Sequence, residues 1–238
     1  MTFLKAQWKN LILVNYEIDP NILKPYIPMG TELDSFNNKY YVSVVGFMFI
    51  DTKVLGIKLP FHINFEEVNL RFYVKHNNKR GVVFIKEIVP KSVITLVANS
   101  IYHEHYQTHK MRHHWTKNDK YKKFEYQWKL NQNWQSISVT TEKEFSTIEE
   151  GSEEQFITEH YFGYTKHKNK TFEYEVVHPT WKKLNVIDFK LNINFESNYG
   201  EGFKFLQFAK PTSVILAEGS AVEVKNKRII HPNKKRLD

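Results

Sequence analysis

From Lys123 to Leu130 the chain alternates without a break. Phe124, Tyr126, Trp128 and Leu130 fall on one side of an extended backbone, and Lys123, Glu125, Gln127 and Lys129 on the other. Neighbours two apart share a face only in a strand, so this period excludes a helix and calls for a sheet with one buried face. Asn131-Gln132-Asn133 reads as a turn into a second alternating run, Trp134 to Thr141, with Ile137 and Val139 inward; the two form an antiparallel hairpin. Asp188 to Glu196 repeats the period through Phe189, Leu191, Ile193 and Phe195, and Thr171–His178 and Ser213–Glu218 read as further strands. Lys39 to Asp51 (KYYVSVVGFMFID) is different. It is apolar at nearly every position, the pattern of a strand covered on both faces.

Helices are few and short. Asp19 caps one whose first turn holds Pro20, and Pro25 and Pro28 end it. Ser92 is placed to cap a helix through about Tyr102, with Val93, Val97 and Ile101 on one face. Ser152 with Gln155 forms a capping box that opens a helix to about Tyr164, its apolar face made by Phe156, Ile157, Tyr161 and Tyr164. Asn77-Asn78-Lys79-Arg80-Gly81 reads as a hairpin turn, with Gly81 supplying the positive φ, and Val82–Val89 is the partner strand. No repeat, linker or composition break divides the chain. The expectation is an α+β, mainly antiparallel β architecture forming one domain over residues 1–224, then a basic tail over 225–238.

Composition narrows the function classes. The 238 residues contain no cysteine, which removes disulfides, thiol catalysis and Cys-ligated metal centres. Neither a Walker pattern nor GxGxxG nor GxSxG occurs, so no nucleotide cofactor and no serine-hydrolase elbow is expected, and the reading assigns no cofactor. The opening MTFLKAQWKN has no signal-peptide apolar run, and no stretch reaches the ~18 apolar residues of a membrane span, so a cytoplasmic setting without membrane insertion is expected. The net charge of +8 raises the question of nucleic acid. Its basic blocks, Lys110–Lys123 and Lys225–Arg236, are separated by an acidic block from Glu142 to Glu154, which suits solvated faces better than a phosphate track. A non-catalytic interaction protein using that basic surface is the alternative reading, and a homo-oligomer stays open.

Three groups of residues can carry chemistry. In Phe65–Val74, Glu67, Asn69, Arg71 and Tyr73 share one face, and Val68, Leu70, Phe72 and Val74 the other. The second face is a core face. The first is either a wet sheet surface or the wall of a polar cavity. In a cavity Arg71 would fork onto a carboxylate, and Glu67 would act as acid, base or ion-pair partner. The second group is His103, His105, His109, His113 and His114; on a helix His105, His109 and His113 would share a face at metal-binding spacing. A solvated, pH-sensitive surface is the competing reading, and no metal site is assigned. The third is His178-Pro179-Thr180-Trp181, a structural corner from which His178 can reach a pocket.

Taken together, FEEVNLRFYV (Phe65–Val74), the opening Phe3–Asp34, GSEEQFITEHYFGY (Gly151–Tyr164) and VHPTW (Val177–Trp181) resemble the YqjF-like bacterial proteins. These are an uncharacterised family within the acetoacetate decarboxylase-like fold superfamily, and the resemblance runs in order from about Phe3 to Val224. It implies a curved, cone-like antiparallel β-barrel or sheet with flanking helices and a central cavity. It thereby favours the cavity reading of Glu67, Asn69, Arg71 and Tyr73, with Tyr106, His105 and His178 as further ligand-binding candidates. The decarboxylases form a Schiff base on one of two lysines. The matching stretch here, Tyr102–Gln107, puts Tyr106 and Gln107 at those two places, so that chemistry is not carried over, and Glu67 corresponds to the decarboxylase pocket glutamate. The expectation is a small-molecule pocket for a carboxylate or carbonyl ligand. If the protein is an enzyme, its chemistry is lyase-like or other carbonyl or carboxylate chemistry without a Schiff base.

Overall fold

The computed structural model describes residues 1–230; the remainder of the expected tail, 231–238, lies outside the described residues. The chain opens with β1 (Thr2–Glu17), the one-turn helix α1 (Pro20–Leu23), β2 (Glu32–Leu33), β3 (Tyr41–Val54), β4 (Phe65–His76) and β5 (Lys79–Val89). Helix α2 (Ser92–Val97) leads to β6 (Tyr106–Thr108), β7 (Met111–Lys117), β8 (Lys122–Leu130) and β9 (Asn133–Thr147). Helix α3 (Glu153–Thr158) precedes β10 (Phe162–His167), β11 (Lys170–Val177) and β12 (Lys182–Asn192). Helix α4 (Phe195–Tyr199), β13 (Ser213–Ala217), β14 (Ala221–Lys225) and β15 (Arg228–Ile230) complete it.

Strand β1 organises the sheet because it turns a corner. Its first half pairs β14, its second half pairs β13, and its other edge follows β3. The corner falls at Asn10, whose φ of 54° and neighbouring bulge let the strand bend. The ladder β14-β11-β10-β5-β4-β3-β1 therefore returns to β14 as a strongly curved sheet. Strands β13-β12-β9-β8-β7 leave it as an arm. The arm lies against the outer face of β3 and β4, where Tyr126, Trp128, Ile137 and Val139 pack with Val42, Val44, Val68, Leu70 and Phe72. Gly46 permits this approach, since a Cβ there would stand 2.4 Å from Ile137 Cδ1. The opposite residues of β3, Val45, Phe47 and Phe49, are buried inside the curve, so this strand is covered on both faces.

Several local expectations need correction. The β4–β5 turn takes its positive φ at Asn77 and Asn78 (49° and 62°), the two-residue hairpin geometry. Gly81 does not supply it; a Cβ there would meet the Phe162 carbonyl oxygen at 2.5 Å, because parallel β10 joins β5 at that point. Helix α2 starts without a side-chain cap and passes after Val97 into a wide π-type turn, Ala98–Tyr102. Ser152 does cap α3, but Gln155 returns to the Gly151 N–H and the helix stops at Thr158, so Tyr164 belongs to β10. The run expected as a strand from Asp188 to Glu196 is two elements: β12 ends at Asn192, and Ile193 and Phe195 are buried beyond it. Residues 106–117 are extended, which removes the helical face proposed for His105, His109 and His113. Among the described residues no group of three metal-ligating side chains is found. The expected tail also starts inside the sheet, with Arg228–Ile230 paired to β11.

Candidate functional site

The inner face of β4 sets the site. Antiparallel register puts Phe47 across from Glu67 and Glu87 across from Asn69, and parallel β6 puts Tyr106 beside Glu87. These side chains meet in a cavity of about 120 Å³, counted as space open to the centre of a water-sized sphere. One water needs roughly 10–15 Å³ by that measure, so the void has room for a ligand of several heavy atoms. Its wall is mostly apolar: Trp8, Phe47, Phe49, Phe65, Phe84, Phe162 and Trp181 contribute rings. Set into it are Glu67, Asn69, Arg71, Glu87, Glu104, Tyr106, His160, Tyr174 and His178.

The carboxyls are buried and hydrogen-bonded unequally. Glu67 accepts from Asn69 Nδ2 at 2.9 Å and from the Tyr106 hydroxyl at 3.0 Å. Burial pushes it up to about 7 against those two bonds and the Arg71 charge. Glu104 accepts from Thr165 at 2.5 Å and Tyr174 at 2.8 Å, and burial holds it at about 7 too. Glu87 is raised well above the carboxylate range by burial, then by the charges of Glu104 and Glu67, and its Oε2 has no partner. Near neutral pH this trio therefore holds protons that ordinary carboxylates have lost. Arg71 is 8% exposed; its Nη2 reaches the Ile157 carbonyl at 3.4 Å and its Nε has no partner.

Next to it stands a second polar pair. Asp34 Oδ2 lies 3.1 Å from His160 Nε2 and accepts from Arg80 Nε at 2.7 Å. Burial alone would raise Asp34, but the bonds from His160 and Arg80 outweigh it and hold the carboxyl at about 2. Burial lowers His160 to about 4 despite Asp34, and its Nδ1 is unpartnered.

Of the residues picked out in the sequence, Glu67, Asn69, Arg71, Tyr106 and His178 lie on the cavity wall. His178 stacks on Trp181 with ring centroids 4.3 Å apart, and its imidazole is lowered by burial. Tyr73 is on the same strand face but outside the cavity: its hydroxyl is 2.6 Å from Ser43 Oγ, and Phe156 of α3 covers its ring. His105 is exposed and is not part of the cavity wall. Sequence reasoning missed Glu87, Glu104, His160 and Tyr174 as wall residues. Glu87 was hidden by a bulge: Arg71 faces Phe84 while Leu70 faces Lys86, and the extra residue turns Glu87 inward where strict alternation sends it out. The basic residues of Lys110–Lys123 lie on the edge hairpin β7–β8, where Arg112 sits over the Trp134 ring at 4.1 Å.

This arrangement of a curved sheet and short helices has solved counterparts. Acetoacetate decarboxylase from Legionella pneumophila matches 97% of this chain and 88% of its own, with TM-score 0.67 and 10% identity. The enduracididine biosynthesis enzyme MppR complexed with pyruvate matches 98% and 92%, with TM-score 0.66 and 10% identity. An acetoacetate decarboxylase-like enzyme from Sphingomonas wittichii RW1 matches 98% and 94%, with TM-score 0.68 and 9% identity. The fold is acetoacetate decarboxylase-like. In sequence, the uncharacterized protein YqjF of Bacillus subtilis is 25% identical over 193 residues, which is 76% of this chain and 75% of YqjF. Residues 5–221 match the model of DUF2071, described as an uncharacterized conserved protein, and the chain belongs to that family.

Proposed function

We propose that the cavity binds a small carboxylate or carbonyl compound with a hydrocarbon body, Arg71 holding its anionic end and Glu67 with Tyr106 holding or exchanging a proton. The observation that carries this reading is the state of Arg71. It is a buried guanidinium with an unpaired Nε, and its neighbouring acid, Glu67, is raised to about 7. A desolvated cation without a fully charged partner is costly, and a planar carboxylate would supply both charge and hydrogen-bond acceptors in one fork. The ring-lined wall suits the hydrocarbon part. That a protein of the same fold is complexed with pyruvate agrees with such a ligand. Among the described residues, the titratable groups of the wall are carboxyls, phenols, imidazoles and one guanidinium. On this reading any turnover is proton transfer at a carbonyl or carboxylate, and no Schiff base is proposed.

Thermal unfolding tests it. Millimolar 4-methylpentanoate should raise the unfolding temperature of the wild type while 4-methylpentanamide, which lacks the charge, does not, and Arg71→Ala should remove the effect. Equal stabilisation of wild type and Arg71→Ala by the acid would refute the role given to Arg71.

A further inference from the structure

We propose that residues 91–101, helix α2 with the start of the π-type turn behind it, are the gate through which the cavity is entered, latched shut by the Asn99 side chain on the main chain of Tyr106. This rests on the cavity as a ligand site, whichever ligand it takes.

A ligand enters only where the wall can part. Most of the wall is strand: β1, β3, β4, β5, β10, β11 and β14 contribute to it and are joined by the main-chain bonds of one ladder. Outside the ladder it is closed by Thr158 and His160, by His178 and Trp181, and by the segment after β5. The first two closures are anchored through buried side chains: His160 lies 3.1 Å from Asp34, and the Trp181 indole N–H donates to Ser220 Oγ at 2.9 Å. The third is different. Ile94, Val97 and Ala98 line the cavity, while Val93, Leu96 and Ile101 are 40%, 66% and 42% exposed. Of residues 91–101 only Ile94 is buried. A segment with few buried apolar contacts opens at low cost.

Both ends of the segment are built to bend. Lys91 is extended, and α2 starts behind it without a side-chain cap. At the other end the wide turn Ala98–Tyr102 interrupts the α-helical pattern, and His103 takes a φ of 59°. Around that point the chain is fixed: the Tyr102 hydroxyl donates to the Lys225 carbonyl at 3.1 Å, its ring lies 4.5 Å from that of Phe3, and Glu104 is held by Thr165 and Tyr174. Between the hinges two side chains reach β6. Asn99 Nδ2 donates to the Tyr106 carbonyl at 3.0 Å and Asn99 Oδ1 accepts from the Tyr106 N–H at 2.8 Å, and the Thr95 and Thr108 hydroxyls lie 2.7 Å apart. Lys227 adds a bond to the Ile101 carbonyl. Asn99 thus does for this segment what a pair of ladder bonds does for a strand, through one side chain. It also grips the residue whose hydroxyl bonds Glu67, so the latched gate and the placed phenol belong to one state.

Because the chain has no cysteine, an introduced thiol reports on one place. Val82 lines the cavity and is 6% exposed, so the rate at which Val82→Cys reacts with methyl methanethiosulfonate measures entry. Adding Asn99→Ala should speed that reaction about tenfold, as expected for the loss of two hydrogen bonds. Asn99→Asp keeps the bond from the Tyr106 N–H, loses the one to its carbonyl and should fall between. Gly46→Ala, which disturbs the outer face, should leave the rate unchanged. In a second protein, Thr95→Cys with Thr108→Cys, oxidation to the disulfide should slow association and dissociation of 4-methylpentanoate together by about tenfold or more, and reduction should restore both. Equal labelling with and without Asn99, the same acceleration by Gly46→Ala, or unaltered association in the disulfide form overturns the gate. If no protein binds 4-methylpentanoate, the carboxylate reading falls, and the labelling rates decide the gate without it.

Discussion

The two faces of β4 are built from neighbouring residues and do opposite things. Val68, Leu70 and Phe72 face outward and are wholly buried under the arm of the sheet. Glu67, Asn69 and Arg71 face inward, are nearly as buried, and border a void. The outer face carries only apolar side chains at these positions. The inner side holds unpaired buried atoms on Asn69, Arg71, Glu87 and His160. Buried polar groups are normally satisfied, because each orphan costs about 1–3 kcal/mol. A concentration of orphans around one cavity is not what stability alone would select, and its donors and acceptors are of the kinds a ligand supplies. The difference teaches that burial on this strand means packing on one side and pre-organisation on the other.

The comparison breaks most visibly at Phe72, which should lose about 3–5 kcal/mol on substitution by alanine. Arg71→Ala, the adjacent residue, should cost less than half of that in the ligand-free protein, because it also removes an unpaired buried charge. Urea unfolding of the two variants checks both values, and equal losses would erase the distinction between the faces.

The pH dependence of stability sharpens the inner side. Glu67 and Glu104 are raised to about 7 and Glu87 well above the ordinary range, so the folded state binds more protons than the unfolded one. Their contribution is full below about pH 4, the unfolded carboxylate range, and is lost as pH rises through the folded values. His160 and His178 work the other way, with folded values below the usual 6.5, and they lose stability only as pH falls beneath that value. Between pH 6.5 and 8.5 the carboxyls dominate, and unfolding free energy should fall by up to about 1.4 kcal/mol per pH unit for each proton released. Glu87→Gln should flatten that slope, as read from urea titrations across this window. A stability independent of pH from 6.5 to 8.5 would mean the trio is not buried as described.

On the outer face, Gly46→Ala should cost about 1–3 kcal/mol, since the new methyl displaces Ile137. It should leave acid binding unchanged. The smallest effect is expected at α3, whose last residue Thr158 is on the cavity wall: Ser152→Ala removes the cap of the helix and should cost about 1 kcal/mol by thermal unfolding.

Much of the fold was legible because alternation survives wherever one face is buried and the strand is regular. Lys123–Leu130, Trp134–Thr141 and the two-sided strand Lys39–Asp51 follow their pattern in the structure, as does the pairing of Phe65–Val74 with Val82–Val89. Patterns failed where long-range contact overrides local period. The His-rich stretch has helical spacing but forms strands, because residues 106–108 are paired to the edge of β5 and 111–117 to β8. The candidate site was half legible. The inner face of β4 repeats every second residue, but Glu87 enters through a bulge, and His160 and Asp34 come together from positions 126 apart in sequence. Tyr73 shares the periodicity of the site residues and is still excluded, because α3 closes over it.

The most direct test of the account is a calorimetric titration of 4-methylpentanoate into three proteins: wild type, Arg71→Gln and Arg112→Gln. Arg71 lies in the cavity and Arg112 on the basic edge hairpin. The account predicts one binding site, weakened about tenfold or more by Arg71→Gln and unaltered by Arg112→Gln. Equal affinity in wild type and Arg71→Gln, or a loss confined to Arg112→Gln, would contradict it and move the anion from the cavity to the surface.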